Sequence, residues 1–561
     1  VTGSLPRTDF DWVVIGSGFG GSVSALRLAE KGYRVAVLEC GRRYEDADYA
    51  RTTWNWRRFM WSPRLGLKGI MRITLFKDVT VLSGSGVGGG SLVYANTLYR
   101  PPERFFRDPQ WASLDDDWHG ELRPHYDTAE RMLGASPIPF DDAGDEVLQQ
   151  LAETIGVSDT HGKPLVSVTF GEPGENVGDP YFGGEGPDRT ACIRCGACMV
   201  GCRFNAKNTL VKNYLWLAER RGVKIMPERM AIDIRPLRAP DGSDGYALTH
   251  EPSGTILPRG RRTVTTRGVV LAAGALGTNA LLRRCKDSGS LPRLSERLGY
   301  LVRTNSEAIL AVTARDRKAD FSDRIAITSS IYPDEDTHIE TVTYGKKGNS
   351  MRLLFSALVG DGNRLTRPLR LLAAIVTRPR DLMTWATPGS WARRTLILLV
   401  MQTLDNSMRF RPRRFSVLGR RVTTQQDPDK PNPSFIPAAN DAAERIAEQI
   451  DGVPLSSVFE SMAGIPVTAH ILGGAVIGAD EAKGVVDTAH RAFGYERLLV
   501  CDGAAVPANP GVNPSLTITA LAEHAMSHVP PKPGARLPEP VTLTTPLHEQ
   551  PPTPAPGTAS G

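Results

Sequence analysis

Residues 11–39 read DWVVIGSGFGGSVSALRLAEKGYRVAVLE, and the fold follows from how that stretch is punctuated. Trp12 to Ile15 is a short apolar run of the kind that forms a buried parallel strand. Gly16, Gly18 and Gly21 then spell G-x-G-x-x-G, and Ser22 to Glu30 continues as a helix whose apolar side carries Ala25, Leu26, Leu28 and Ala29. After a turn at Lys31–Gly32, Val35 to Leu38 makes a second strand that ends at Glu39. Gly16 permits the tight turn, Gly18 lets the backbone approach a pyrophosphate, and Gly21 lets helix and strand pack closely. The helix start offers free N–H groups and partial positive charge to phosphates. Glu39, at about the 20-residue spacing expected for a ribose-binding acid, completes the unit. The glycines alone would be weak evidence; with strand, helix, second strand and acid in register, they predict dinucleotide binding.

At 561 residues the chain exceeds the roughly 250–300 residues that one core supports, so at least two cores are expected. A net charge of +6 is small for this size and gives no argument for nucleic acid. Four of the 7 cysteines fall between Cys192 and Cys202, which is unlike a secreted disulfide framework and points to a reducing compartment with metal or cluster ligation. The N-terminal residues do not read as a secretory signal. The longest apolar run, Leu396 to Met401, is far short of the roughly 20 residues of a spanning helix. The expectation is a cytoplasmic protein, soluble or peripheral at a membrane.

Two segments bear on that last point. Arg51 to Lys77 interleaves Trp54, Trp56, Phe59, Met60, Trp61 and Phe76 with Arg51, Arg57, Arg58, Arg64, Lys68 and Arg72, and Leu369 to Val400 is a weaker copy around Trp385. Each reads either as an interfacial segment for a lipid-like ligand or as an arm packed over the body.

Val81 to Asn96, VLSGSGVGGGSLVYAN, holds Gly84, Gly86, Gly88, Gly89 and Gly90 ahead of Ser91 and an apolar helix start. Main chain this bare suits close approach to a flat or phosphorylated ligand. Near the C-terminus, TAHILGGAVIG (468–478) sets His470 just before Gly473 and Gly474. LLVCDGAAVPANPGVNPSLTIT (498–519) gives a strand, Asp502–Gly503, and Asn513-Pro514-Ser515 before an apolar helix.

These three blocks together resemble the glucose–methanol–choline (GMC) oxidoreductases, and within them the bacterial cholesterol oxidases of the non-covalent FAD type. The similarity runs over most of residues 10–530. It implies an α/β protein: a Rossmann-like FAD-binding domain with a second substrate domain built on a mainly antiparallel sheet. It implies FAD rather than NAD, with the loop through Gly86, Gly89, Gly90, Ser91 and Asn96 along the diphosphate and isoalloxazine. Gly16, Gly18, Phe19, Gly20, Gly21 and Glu39 would form the first half of the FAD site. Ala231 would lie at the adenine, Gly274 where a strand ends on the dinucleotide, and Asp502 and Gly503 by the ribityl or phosphate. The helix after Asn513 and Pro514 would present its N–H groups to the pyrimidine end of the flavin. His470 and Asn513 would be catalytic, holding the alcohol oxygen. Glu340, in THIETVTYG, would bring a carboxylate over the flavin and isomerise a Δ5 ketone to Δ4; its other reading is an exposed glutamate paired with Lys346 or Lys347.

Cys192, Cys195, Cys198 and Cys202 stand as C-x2-C-x2-C-x3-C, the spacing of a bacterial ferredoxin run. Arg203 follows where a ferredoxin has Pro, and no second run exists. An iron–sulfur cluster (3Fe-4S or 4Fe-4S) on three or four of them, a zinc ion, and free thiols all remain open. Flavin glucose dehydrogenases of the same superfamily carry a similar segment.

The expected division is an FAD-binding domain from 1–115, 203–312 and 455–529; substrate or cap regions at 116–191 and 313–454; the cysteine segment 192–202; and a disordered Pro-rich tail at 530–561. Residues 111–190 show no sustained periodicity beyond a helix at Asp145 to Gly156, and His119, His125 and His161 read as surface residues. Three functions fit: an FAD oxidase of a sterol 3β-hydroxyl using O2, an FAD/iron–sulfur dehydrogenase of another hydrophobic alcohol with a redox partner as acceptor, and a membrane-peripheral flavin electron carrier. His470 and Asn513 count against the third.

Overall fold

The computed structural model describes residues 8–114, 117–255, 260–386, 390–412, 422–551 and 553. Two large sheets organise them, and their strands in chain order are β1 (Phe10–Ile15), β2 (Val35–Leu38), β3 (Lys224–Met226), β4 (Arg229–Pro236), β5 (Tyr246–Pro252), β6 (Arg262–Leu271), β7 (Ala308–Ala314), β8 (Ile327–Ile331), β9 (Thr337–Val342), β10 (Phe355–Ala357), β11 (Thr395–Gln402), β12 (Gly452–Ser457) and β13 (Leu498–Val500). The helices that pack on them and matter to the site are α1 (Phe19–Glu30), α2 (Trp118–Leu133), α3 (Ala143–Thr154), α4 (Tyr214–Arg220), α5 (Gly274–Asp287), α6 (Thr366–Thr377), α7 (Pro379–Ala386), α8 (Pro437–Gln449) and α9 (Ser515–Ser527).

The first sheet runs β4-β5-β6-β1-β2-β3, with β13 beside β6. Its centre is parallel: β1 pairs β6 and β2, and β6 pairs β13. The four central strands meet the cofactor crevice at one end, as a doubly wound sheet requires. Buried on both faces, they are continuous apolar runs such as Val13–Val14–Ile15 and Val269–Val270–Leu271. Helix α1 packs on α4 and α9 in the same core.

The second sheet, β8-β9-β11-β7-β12-β10, is antiparallel in every pairing. One face carries Leu310, Val312, Ile331, Ile339, Leu398 and Val400 against α3 and α8. The other carries Ala311, Val342, Ile397, Leu399 and Met401 and turns toward the flavin-loop residues. The period of two puts His338 and Glu340 on that second face.

Three expectations change. The stretch after residue 111 contains the 16-residue α2, hidden in sequence because Pro124 interrupts the pattern; it stands seventh in the helix, inside it, where a proline argues against a helix on propensity alone. The Gly-rich loop is followed by one 3-10 turn, Gly89–Leu92, rather than an apolar α-helix. The tail is also ordered where described. Lys532 donates its backbone N–H to Lys31 O (2.9 Å) and Thr544 donates to Tyr181 O (3.0 Å). The Arg131 guanidinium donates to Leu543 O (2.6 Å) and Thr545 O (3.0 Å), while Val541 and Leu543 pack on the main core. Pro-rich composition rules out a helix or a ladder, but side chains of the body satisfy the extended backbone instead.

Candidate active site

Two bare loops meet to make the cofactor cradle. A Cβ on Gly16 (φ +101°) would lie 2.1 Å from Ala272 O, and one on Gly21 would lie 2.1 Å from Gly16 O, so both glycines are there for close main-chain packing. A Cβ on Gly89 would fall 2.6 Å from Gly18 Cα, which locates the contact between the loops. Gly18 itself caps α1 without any side-chain hydrogen bond, leaving the first N–H groups of the helix for an anion. Phe19 and Gly20 open α1, and Phe19 packs against Gly90 and edge-on to Tyr94. A Cβ on Gly20 would strike Cys501 O, binding the helix start to the end of β13.

Glu39 is 4% exposed. Its carboxylate accepts from Ser17 N (3.1 Å), Ser17 Oγ (2.7 Å) and Gly41 N (2.8 Å). It therefore fixes the first loop, with lone pairs to spare for a ribose hydroxyl. Ser17 Oγ in turn accepts from Gly88 N (3.1 Å), which carries the restraint to the second loop and Gly86. Ser91 donates to Gly88 O (2.7 Å) and accepts from Leu210 N (3.1 Å). Arg229 N donates to Glu39 O (2.8 Å), placing Ala231 two residues beyond the end of β2. Gly274 (φ +72°) begins α5. Asp502 is buried, accepts from Thr278 Oγ1 (2.5 Å) and Ala504 N (2.8 Å), and has its pKa raised to about 6 by burial. Gly503 follows it on the same turn, with Leu472 and Ile518 as neighbours. These residues fit FAD: two glycine surfaces, an uncapped helix start and a ring of fixed polar groups line one crevice.

The residues expected to be catalytic come from three separate parts of the chain. Asn513 precedes Pro514, the cap of α9. Its Nδ2 donates to Glu340 Oε2 at 3.3 Å, and its Oδ1 has no partner. Glu340 is fully buried on β9, so the alternative of an exposed glutamate paired with Lys346 or Lys347 is excluded. Burial raises its pKa to about 8, opposed chiefly by the hydrogen bond from Asn513. Its Oε1 is unpartnered. His470 bonds through Nδ1 to Glu307 Oε1, and Glu307 Oε2 also accepts from Ala469 N (2.7 Å). Glu307 contributes to raising the Glu340 pKa, which puts the two pairs within electrostatic reach of each other.

Sequence reasoning missed Glu307, Tyr99 and His338 as parts of this site. Glu307 is delivered by two left-handed residues, Asn305 (φ +58°) and Ser306 (φ +46°). Asn305 is locked by Asn509 Oδ1 (2.8 Å), Val512 O (3.0 Å) and Gly511 N (2.8 Å), so the strain is held by the loop that leads to Asn513. His338 is sandwiched between Tyr99 and Tyr332, with ring centroids 4.9 and 4.5 Å away. Burial drives its pKa down to about 3, so it is neutral and is distinct from Glu340 despite sharing its strand face. The only sequence signal for the group was the Asn-rich run of loops at 305 and 509–513.

The cysteine segment is not helical, apart from a single 3-10 turn at Cys198–Val200. An apolar groove of about 560 Å³, counted to its open mouth, lies elsewhere, lined by Ala357, Ala374, Ile375, Trp385, Val453 and Leu455.

The family models described as GMC oxidoreductase match residues 10–290 and 404–522. A cholesterol oxidase of Mycobacterium tuberculosis (strain ATCC 25618 / H37Rv) is 48% identical over 537 residues, covering 94% of this chain and 92% of the relative. A cholesterol oxidase of Acinetobacter baumannii is 45% identical over 536 residues, covering 94% and 96%. Among solved structures, pyridoxine 4-oxidase from Mesorbium loti superposes with a TM-score of 0.62 at 15% identity, over 92% of this chain and 98% of that one; that likeness concerns the fold. None of these findings speaks for an iron–sulfur cluster.

Proposed function

The chain belongs to the GMC oxidoreductase family, an FAD-dependent class acting on CH–OH groups, and on that premise we propose that it oxidises the 3β-hydroxyl of cholesterol or a related sterol. The observation that supports the reading is that Asn513 pairs with Glu340 and His470 with Glu307, with Glu307 near enough to help raise the Glu340 pKa. FAD, when bound in the cradle, supplies the hydride acceptor.

The protein's own side chains do the rest. His470, its Nδ1 held by Glu307, offers Nε2 to the alcohol oxygen. The free Oδ1 of Asn513 accepts from the hydroxyl, and together they aim the carbinol C–H. His470 or Glu340 takes the hydroxyl proton. Glu340 as a carboxylate can then remove a proton beside a Δ5 ketone and return it two carbons along, giving Δ4 with no net change in protons. Bound FAD would also supply the route by which the two electrons reach O2 or another acceptor.

The apolar face of the substrate sheet supports an apolar substrate body. From Glu340's side of β9, cross-strand neighbours Val342, Ile397, Ala311, Leu455 and Ala357 form one unbroken apolar row across the sheet. It ends at the groove beneath α6 and α7. β9 and β12 are three strands apart in sheet order, about 14 Å at strand spacing, which suits a rigid polycyclic alcohol. Above the groove, Leu365, Leu369, Leu372 and Val376 project from α6 into solvent, with Arg370, Arg378 and Arg380 exposed beside them. That stripe supports peripheral contact with a bilayer; no helix among the described residues is long and apolar enough to cross one.

The test is anaerobic mixing of the FAD-loaded protein with cholesterol. Flavin bleaching and, after air is admitted, stoichiometric peroxide are expected. A flavin that stays oxidised with every sterol offered would end the proposal.

A further inference from the structure

The cysteine run has no part in the alcohol chemistry, yet it is built as a site. Cys192, Cys195, Cys198 and Cys202 line one small cavity walled by Val168, Ala206 and Ile325, with Lys207 at its edge. All four thiols are unbridged. Left-handed residues at Arg194, Gly196 and Gly201 (φ +52°, +68° and +100°) wrap the loop around that cavity. Gly196 is pressed backbone to backbone on Gly345, where a Cβ would lie 2.8 Å from Gly345 Cα, so the loop is clamped to the body. One backbone amide faces a sulfur: Arg194 N–H points at Cys192 Sγ (3.4 Å). Such amide-to-sulfur contacts orient and tune thiolate ligands.

Lys207 supplies the second, independent observation. It is 1% exposed, and its Nζ donates only to carbonyls, those of Cys198 (2.9 Å), Tyr94 (2.8 Å) and Leu92 (3.3 Å). No carboxylate is paired with it among the described residues. Thiolate ligands gathered in the adjoining cavity would lie beside this amine and give its protonated form a counter-charge. Leu92 and Tyr94 belong to the flavin loop, so this lysine joins the cysteine cavity to the cofactor cradle.

The C-x2-C-x2-C-x3-C spacing is that of a ferredoxin run, in which thiolates at these intervals wrap one compact cluster, whereas zinc spacings usually set two Cys pairs further apart. We propose that Cys192, Cys195, Cys198 and Cys202 hold one [4Fe–4S] cluster, its charge balanced by Lys207. This rests on the flavin reading only for its consequence: electrons leaving reduced flavin would gain a route, one at a time and two per alcohol oxidised, to a one-electron acceptor in place of O2.

The full chain, purified without oxygen and with FAD bound, is assayed for FAD, iron, acid-labile sulfide and zinc. About four iron and four sulfide per FAD are expected, with a brown colour over the flavin yellow and a paramagnetic signal on one-electron reduction. Cys195→Ser, and separately the Cys192→Ser/Cys198→Ser pair, should lose most of the iron and sulfide while keeping FAD. Cys285→Ser, whose thiol is buried in the flavin core, should lose neither. Iron or sulfide below one per FAD, zinc in their place, or full iron and sulfide in both sets of cysteine variants would overturn the proposal. Flavin bleaching by cholesterol in the same sample reports separately on the alcohol chemistry, so the two readings fail independently.

Discussion

Asn513 Nδ2 donates to Glu340 Oε2 at 3.3 Å, across 173 residues of sequence. The bond ties the start of α9, in the flavin half, to the second strand of the substrate sheet. It leaves one oxygen of each partner, Asn513 Oδ1 and Glu340 Oε1, unpaired at the same buried point. A buried polar atom without a partner is costly, and a hydroxyl bound here would supply one, which supports this contact, more than the glycine loops, as the place where an alcohol binds.

Glu340 yields a prediction in pH. Burial lifts its pKa from 4.5 to about 8, so at neutral pH it is mostly protonated. If the carboxylate is the base, isomerisation of a Δ5 ketone should rise with pH and level off above about 8. Glu340→Gln should lower that rate by about 10²–10⁴-fold and erase the rise. The linkage sign is fixed as well. The folded state binds a proton that the unfolded state releases between pH 4.5 and about 8, so wild-type stability falls as pH rises across that window. Thermal melts should therefore show Glu340→Gln gaining on wild type from pH 5 to pH 9. Parallel melting curves would refute the buried-acid assignment.

Glu307 acts through His470. With Ala469 N on one oxygen and His470 Nδ1 on the other, it fixes the ring's tautomer and direction. Glu307→Gln keeps the shape but weakens that hold, and kcat should drop about 10²-fold with KM little altered and FAD content unchanged. Loss of FAD together with activity would mean that Glu307 is merely structural.

How much of this was readable beforehand depended on range. Gly16, Gly18 and Gly21 declare themselves because a turn, a helix start and a strand must follow one another within a few residues. Asn513 and His470 were legible only through resemblance, since nothing local separates a catalytic Asn-Pro from an ordinary helix cap. Glu307 was invisible: its role comes from two left-handed residues and an Asn305–Asn509 contact spanning 204 positions. The described tail was misread for a related reason. Composition reports what a segment does alone, whereas residues 541–545 are held by Arg131 and the core.

That strap gives a stability prediction. Ending the chain at Pro530 removes the two Arg131 hydrogen bonds to Leu543 O and Thr545 O and uncovers core beneath Val541 and Leu543. Each kcal/mol lost shifts Tm by at most about 2–4 °C in a chain this long, so a fall of a few degrees is expected, with kcat retained because the strap touches none of the site residues. An unchanged Tm would show that the contacts contribute nothing in solution.

The exposed stripe on α6 can be tested without reference to catalysis. Leu369 and Val376 are 68% and 70% exposed and lie on one helical face with Leu365 and Leu372, a costly arrangement in water and a favourable one at a bilayer surface. Burying one such side chain in lipid is worth about 1.5–3 kcal/mol, so a Leu369→Glu/Val376→Glu double variant should bind anionic vesicles at least about tenfold more weakly than wild type. Wild-type binding should also weaken with salt, because Arg370, Arg378 and Arg380 face the same side as lipid headgroups would. Leu537→Glu, an exposed apolar residue on the strap, should leave binding as it was. Equal co-sedimentation of wild type and the double variant would remove α6 as the contact.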